Sequence, residues 1–367
     1  MRLISVFNNK GGVGKTTLTF HLAHALAEMG HKTLLIDLDP QCNLTILGLP
    51  EERIHAIWQA EDNYIDDFRS SRNKATKAEF DALTQTTRTI HFLLKPTEDG
   101  VTDVELLAKP HSLGANLDLI PGRLSMHLYE EKISGRWSDV YQGDPLAIRT
   151  ITRIREIAQE YASNYGYEYV VVDTSPSLGT LNKVIISTAD GFLIPCMPDL
   201  FSVYGIKNIG NALGIWVKQF DTIYSLLSVE KRKAFPSTFV RLLGFTIFNA
   251  KKYSGENNAW DLAAGHYNYA KQVPSAIRDY VPKDIRKNFS DPLMGKPIGG
   301  TAIMHTHNTF PAMAQKYHKP MWLLPAAAHL DASDAMTIKG NRAAYEGTRT
   351  KYKQFARDLL ARLAELK

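Results

Sequence analysis

The sequence predicts an α/β protein: an open, mostly parallel, twisted sheet with helices on both faces, elaborated by helical insertions. Three observations carry that prediction. A short apolar strand, Leu3 to Phe7, runs into a glycine-rich turn and then into a helix with an apolar face. A second apolar run, Thr33 to Ile36, follows that helix and closes a βαβ unit, which requires a parallel sheet with a helix packed on it. Farther along, Tyr169 to Val172 is a continuous apolar strand of the kind buried on both faces.

Each element has a local reason. In the first helix Leu18, Leu22, Ala25, Leu26 and Met29 share one face, and Gly30 is placed to end it. Asp144-Pro145 is a good helix start, because aspartate can cap and proline is tolerated at the first helical position. Ala147, Ile151, Ile154, Ala158 and Tyr161 then form a buried stripe. The strand after it delivers Asp173 to the carboxyl edge of the sheet, where ligands of open α/β sheets gather. A closing helix over about 342–366 repeats Tyr352, Phe355, Leu359, Leu363 and Leu366 at helical spacing.

Two stretches break the rhythm and read as helical surface insertions. The first, about 51–88, is charged and poor in strand signals. The second, about 254–300, sets Trp260, Tyr267, Tyr269 and Tyr280 among lysines and arginines. Neither carries a repeat or a low-complexity bias, and residues 1–367 are read as one elaborated domain. A hydrophobic content of 44% allows a large core. There is no run of 18 apolar residues, and the chain enters a strand at once, so the expectation is a soluble, cytoplasmic protein without a signal peptide. Cys42 and Cys196 form neither a CxxC pair nor a disulfide framework and are expected to be buried thiols. The net charge of +5 permits a polyanionic partner without demonstrating one.

The chemistry sits in Asn9-Lys10-Gly11-Gly12-Val13-Gly14-Lys15-Thr16-Thr17. Between a strand and a helix, such glycines let backbone N–H groups close around the β- and γ-phosphates, and the helix N-terminus favours the anion. Lys15 reaches the same oxygens, and Thr16 offers its hydroxyl to Mg²⁺. This is a P-loop for a nucleotide triphosphate. It departs from the ordinary pattern in that Asn9 replaces the first glycine and a second lysine, Lys10, follows.

With Asp37-Leu38-Asp39-Pro40-Gln41 after the second strand and Asp173-Thr174-Ser175-Pro176 after a later one, the chain resembles the ParA/MinD family of dimerising P-loop ATPases, closest to its ParA branch. Further similarity runs through Leu117 to Gly122, Leu193 to Pro195 with Pro198-Asp199, and Gly244 to Asn249, together roughly two-thirds of the chain. The resemblance implies ATP and Mg²⁺ as cofactors, held by the backbone of Gly11, Gly12, Val13 and Gly14 with Lys15, Thr16 and Thr17. Asp173 would act on the metal directly or through water, Asp37 would support the metal, and Asp39 would position the attacking water. Lys10 would cross a nucleotide-sandwich homodimer to the partner's γ-phosphate. Asn249 would either read the adenine edge or simply form a turn, and the 301–320 loop, with Pro311, would close over the base. Cys42 stands where the family commonly has glycine. No cysteine lies between residues 43 and 195, where related nitrogenase iron proteins hold a cluster, which excludes an Fe–S reductase. His305-Thr306-His307 has HxH spacing but no further ligands, and reads as a solvated loop.

The output of such a switch is left open among three classes. ParA-type proteins bind DNA non-specifically as the ATP dimer and are released by a small ParB-like or adaptor protein that stimulates hydrolysis, which would make the protein nucleoid-associated. Here the support is a basic segment over 339–367, in which Lys339, Arg342, Arg349, Lys351, Lys353, Arg357, Arg362 and Lys367 face only three acidic residues. Core packing is the plainer use of that helix. A MinD-like membrane switch is less favoured, because the stripe lacks tryptophan. A regulatory ATPase with a dedicated protein partner is the third class. Sequence-specific operator binding is not expected, for want of an added N-terminal domain.

Overall fold

The computed structural model describes residues 1–101, 107–233, 235–236, 238–253, 255 and 258–366; Ser254, at the start of the second insertion, and Lys367, in the basic segment, lie outside them. Seven strands form one sheet: β1 (Arg2–Val6), β2 (Thr33–Asp37), β3 (His111–Gly114), β4 (Leu117–Ile120), β5 (Tyr169–Asp173), β6 (Gly191–Cys196) and β7 (Arg241–Ile247). Their order is β3-β4-β2-β5-β1-β6-β7, parallel throughout except for the β3–β4 hairpin at one edge. The central strands β1, β2 and β5 are buried on both faces, as their unbroken apolar runs require. Register fixes the site, since Asp173 lies opposite Val6 on one side and Asp37 on the other.

Helix α1 (Lys15–Glu28) is not amphipathic in the way its pattern suggests. It is buried from Leu18 to Ala27, including Thr19, His21 and His24, because it lies between the sheet and the C-terminal helix Arg342–Ala364. The start predicted at Asp144 is found: Asp144 accepts a 2.7 Å hydrogen bond from the Ala147 N–H and caps the helix Pro145–Tyr165. Strand β7 ends at Ile247, so Phe248 and Asn249 lie just beyond it.

After the short helix α2 (Asn43–Gly48), the first insertion is helical as expected: α3 (Glu51–Asp66), α4 (Phe68–Lys74) and α5 (Lys77–Thr84). It is more than a surface appendage. Tyr64, Phe68 and Phe80 join Phe92 of α6 (Ile90–Glu98) in an aromatic cluster with centroids 5.7–6.2 Å apart. Buried Glu61 accepts the Thr89 N–H at 3.1 Å, tying α3 to the start of α6. The second insertion carries four short helices between Ala264 and Met294.

The C-terminal helix spends its apolar stripe on the core: Tyr345, Tyr352, Phe355, Leu359 and Leu363 are all buried. Much of its basic charge is also engaged. Glu28 accepts from Arg349 at 2.6 Å and pairs with Lys353 at 3.0 Å. Arg342 pairs with Glu346, and buried Arg362 donates to the Leu243 and Lys296 carbonyls. The basic segment is therefore a less open surface than its composition suggests. Lys339, Lys351 and Arg357 remain exposed. Among the described residues no helix is long and apolar enough to cross a membrane.

Candidate nucleotide site

At the carboxyl edge of the sheet a cavity of about 470 Å³ is lined by the turn residues Gly11, Gly12, Gly14, Lys15, Thr16 and Thr17, by Asp39, and by Phe248, Asn249, His307 and Pro311 from later in the chain. The glycine turn works through its backbone. Gly12 and Gly14 take left-handed φ of 74° and 82°, so α1 starts without a side-chain cap and its first N–H groups are left for a ligand. Gly14 is constrained twice over, because a Cβ there would stand 2.3 Å from the Phe248 ring. Val13 is fully buried and contributes backbone only.

Lys15 folds back to donate to the Lys10 carbonyl at 3.0 Å. Burial pushes its ammonium down, and Asp173 and Asp39 work against that shift. Thr16 donates to Asp173 Oδ2 at 2.7 Å. Asp37 and Asp173, buried side by side, are both raised, mainly by burial and further by carboxylate charge nearby. These oxygens fit a hard cation that keeps much of its water: a hydroxyl, a carboxylate and room for phosphate, with no nitrogen or sulfur ligand. Asp37 is engaged elsewhere. Its Oδ2 accepts from the Thr45 N–H at 2.8 Å and the Thr45 hydroxyl at 2.6 Å, and its Oδ1 accepts from the Asp39 N–H at 3.2 Å. Asp39 accepts from the Gln41 N–H through Oδ1 at 2.9 Å, and its Oδ2 has no partner among the described residues.

Lys10 is ion-paired with Asp199 of its own chain, its ammonium 5.7 Å from the centroid of Phe201. Burial would raise the Asp199 carboxyl, but Lys10 and the Ser202 N–H hold it below its usual range. Phe201 and Tyr204 are 71% and 58% exposed here, and Leu178 and Leu200 are exposed with them.

The part of the cavity lined by Asn249 and His307 shows what the sequence did not. Asn249 has a left-handed φ of 59°, as a turn residue does, and it also lines the cavity. The solvated loop expected at His305-Thr306-His307 is corrected: His307 is buried against Phe248 and Tyr352, and its Nε2 has no hydrogen-bond partner among the described residues. Neither histidine belongs to a metal-holding cluster among the described residues. His21 on α1 lines the same cavity, its ring nitrogens near the Thr17 carbonyl and the Met321 N–H. Nothing in the spacing of His21, Phe248 and His307 could have paired them. The two cysteines are free and buried.

Comparison with known proteins agrees with this geometry. An AAA domain family, AAA_31, matches residues 1–223. The chain is 29% identical over 219 residues to the chromosome partitioning protein ParA of Myxococcus xanthus, covering 59% of each. It is 30% identical over 209 residues to an uncharacterized Methanocaldococcus jannaschii protein, covering 56% of this chain and 63% of that one. The matches thus span less than two-thirds of these relatives' own length. Among solved structures, protein DIP2308 of Corynebacterium diphtheriae superposes with a TM-score of 0.59 at 26% identity, over 79% of this chain and 91% of that one. The pNOB8 ParA bound to nonspecific DNA shares the fold, with a TM-score of 0.52 at 18% identity over 99% of this chain and 98% of that one. With the seven-stranded sheet and the double-lysine P-loop, these matches establish that the chain belongs to the AAA_31 family of P-loop ATPases, in the ParA branch of ParA/MinD proteins.

Proposed function

We propose that this chain is an ATP-dependent dimerising switch, hydrolysing ATP to ADP and phosphate, whose ATP dimer binds DNA without sequence preference to segregate or position DNA or another cargo. Residues 1–367 act in this reading as one ATPase domain. The observation that carries it is Lys10, a lysine of the loop whose ammonium is turned to Asp199 and the exposed Phe201 ring instead of the glycine turn. Exposed Leu200, Phe201 and Tyr204, which follow Asp199 in the chain, suit a second copy facing the same patch about a two-fold axis.

The residues divide the chemistry. Lys15 leaves the Lys10 carbonyl for the phosphates, and the backbone N–H groups of the loop share the charge. Mg²⁺, when bound, neutralises charge on the phosphate oxygens, and Thr16 with Asp173 would hold it. Asp39, with one oxygen free beside the cavity, orients water. Asp37, fully hydrogen-bonded, supports that arrangement. Lys10 must leave Asp199 to reach a partner's γ-phosphate, so this ion pair belongs to the unassembled chain. DNA would meet Lys351 and Arg357 with Lys251, Lys252 and Tyr253, all exposed; the charges of Lys252 and Lys351 both bear on His305. A small ParB-like or adaptor protein would stimulate hydrolysis, and the site of action would be the cytoplasm, on the nucleoid.

Light scattering coupled to size exclusion, with ATP and Mg²⁺, tests the dimer. Asp39→Ala should accumulate dimer, and Lys10→Ala should bind ATP but stay monomeric, although both fail to hydrolyse it. A residue supplied across an interface to the γ-phosphate is worth about 10³ to 10⁵ in rate, so the loss in Lys10→Ala is large once a stimulating partner is present. A monomeric Asp39→Ala would defeat the sandwich mechanism. Duplexes of unrelated sequence should shift equally with ATP and lose affinity steeply with salt; indifference to DNA at low salt would remove that output.

A further inference from the structure

The first insertion reaches the catalytic centre through one peptide segment. Gly122, just beyond β4, uses both of its backbone groups. Its N–H donates at 2.7 Å to the Thr45 hydroxyl, which in turn donates to Asp37. Its carbonyl accepts at 3.2 Å from the indole N–H of Trp58 on α3. The fit is close, since a Cβ on Gly122 would lie 3.0 Å from the Asp37 carboxyl carbon. The next residue locks the grip: Arg123 donates to the Trp58 carbonyl at 2.9 Å and pairs with buried Glu61, again on α3.

We infer that Trp58 is a positioning residue for ATP hydrolysis, holding the Gly122 segment against Thr45 and so fixing the Asp37 carboxylate. Thr45 and Gly122 both lie against the Asp37 carboxylate, so the insertion, through Trp58, bears on how rigidly the carboxylate pair at the strand ends is held. The exposed side of α3, where His55, Gln59 and Asp62 face solvent, is then a place at which force on the insertion is felt in the active site. This inference rests on the ATPase reading of the cavity.

The test is Trp58→Phe, which keeps an aromatic ring and removes the N–H donor. Loss of one neutral hydrogen bond that acts mainly in the transition state should lower kcat about fivefold, with ATP affinity changed less than about twofold. The melting temperature should stay near that of wild type. Tryptophan emission gives a second readout that packing alone would not move: adding Mg²⁺ to the ATP complex should change the emission of wild type, and the part due to Trp58, taken as the difference from Trp58→Phe, should account for the change. Trp58→Tyr, retaining a large ring, serves if the phenylalanine variant does not fold. An unchanged kcat in a folded variant overturns the inference and leaves the ATPase reading standing. So does a parallel fall in kcat, ATP affinity and melting temperature, which would make Trp58 a packing residue. If wild type binds no ATP, the functional reading falls first and this inference with it.

Discussion

The two ends of the nucleotide cavity are built by different rules. The phosphate end comes from one contiguous turn and two strand ends in register, Asp37 opposite Asp173, so its geometry is nearly written in the order of the residues. The base end gathers His21 from α1, Phe248 and Asn249 from the turn after β7, and His307 and Pro311 from a distant loop, with Tyr352 of the last helix behind. The first end recruits backbone N–H groups and charge, which depend on local conformation. The second recruits aromatic surface, which depends on how the whole chain closes. A mutation at the phosphate end should therefore act through electrostatics and be severe, and one at the base end should act through packing and be graded.

The largest effect expected is that of Lys15→Ala, which removes the charge offsetting the β- and γ-phosphates. Calorimetry should show ATP binding lost, and retained micromolar affinity would defeat the P-loop assignment. Phe248→Ala probes the other end. It removes the ring that lies against Gly14 and lines the cavity, so ATP should bind about tenfold more weakly, near the lower edge of the roughly 1.5–3 kcal/mol for burying one such side chain. A Phe248→Ala loss as complete as that of Lys15→Ala would break the distinction between the ends.

What the sequence made legible follows the same division. The βαβ start, the Asp144 cap, the Asp173 strand and the helical character of 51–84 are readable because periodicity, capping and turn chemistry act over a few residues. Three features are not. The burial of α1 on both faces depends on the C-terminal helix, more than 300 residues away. Much of the basic charge of that helix is taken up across the fold, where Glu28 on α1 pairs with Arg349 and Lys353. His307 looked solvated because no local pattern announces Phe248 and Tyr352 as its neighbours.

That histidine gives a graded prediction at the base end. Burial first, then the charges of Lys351 and His305, hold His307 down to about 4, against 6.5 for an ordinary histidine. The unfolded chain takes up a proton as pH falls through 6.5 while the folded chain does not, so the stability contributed by neutral His307 is present above that pH and is lost progressively toward pH 4. The slope is at most about 1.4 kcal/mol per pH unit. Asp37 and Asp173, raised in the fold, slope the opposite way, so the comparison must be between wild type and His307→Phe, in which their contribution cancels. Denaturant titrations from pH 7 to 4.5 should show wild type losing stability faster than the variant; parallel curves would mean that His307 is solvated after all.

The smallest effect lies at the phosphate end and tests whether that end is as backbone-determined as it looks. Cys42, in the position where glycine is common, holds a left-handed φ of 56° at the start of α2 and is almost wholly buried. An L-residue there carries a penalty of about 1–2 kcal/mol that glycine escapes. Cys42→Gly gives up the thiol's burial but sheds the strain, whereas Cys42→Ala gives up most of the burial and keeps the strain. Glycine should therefore be the more stable of the two by about 1 kcal/mol, reversing the order in which alanine exceeds glycine at ordinary helical positions. The two effects oppose each other within Cys42→Gly, so its stability should lie close to wild type, and only the comparison between the two variants isolates the backbone. Thermal melts of the three proteins measure it. If alanine proves as stable as glycine, the turn after Asp39 relaxes out of the left-handed region, and the conformation that carries Asp39 to the cavity is not fixed by position 42.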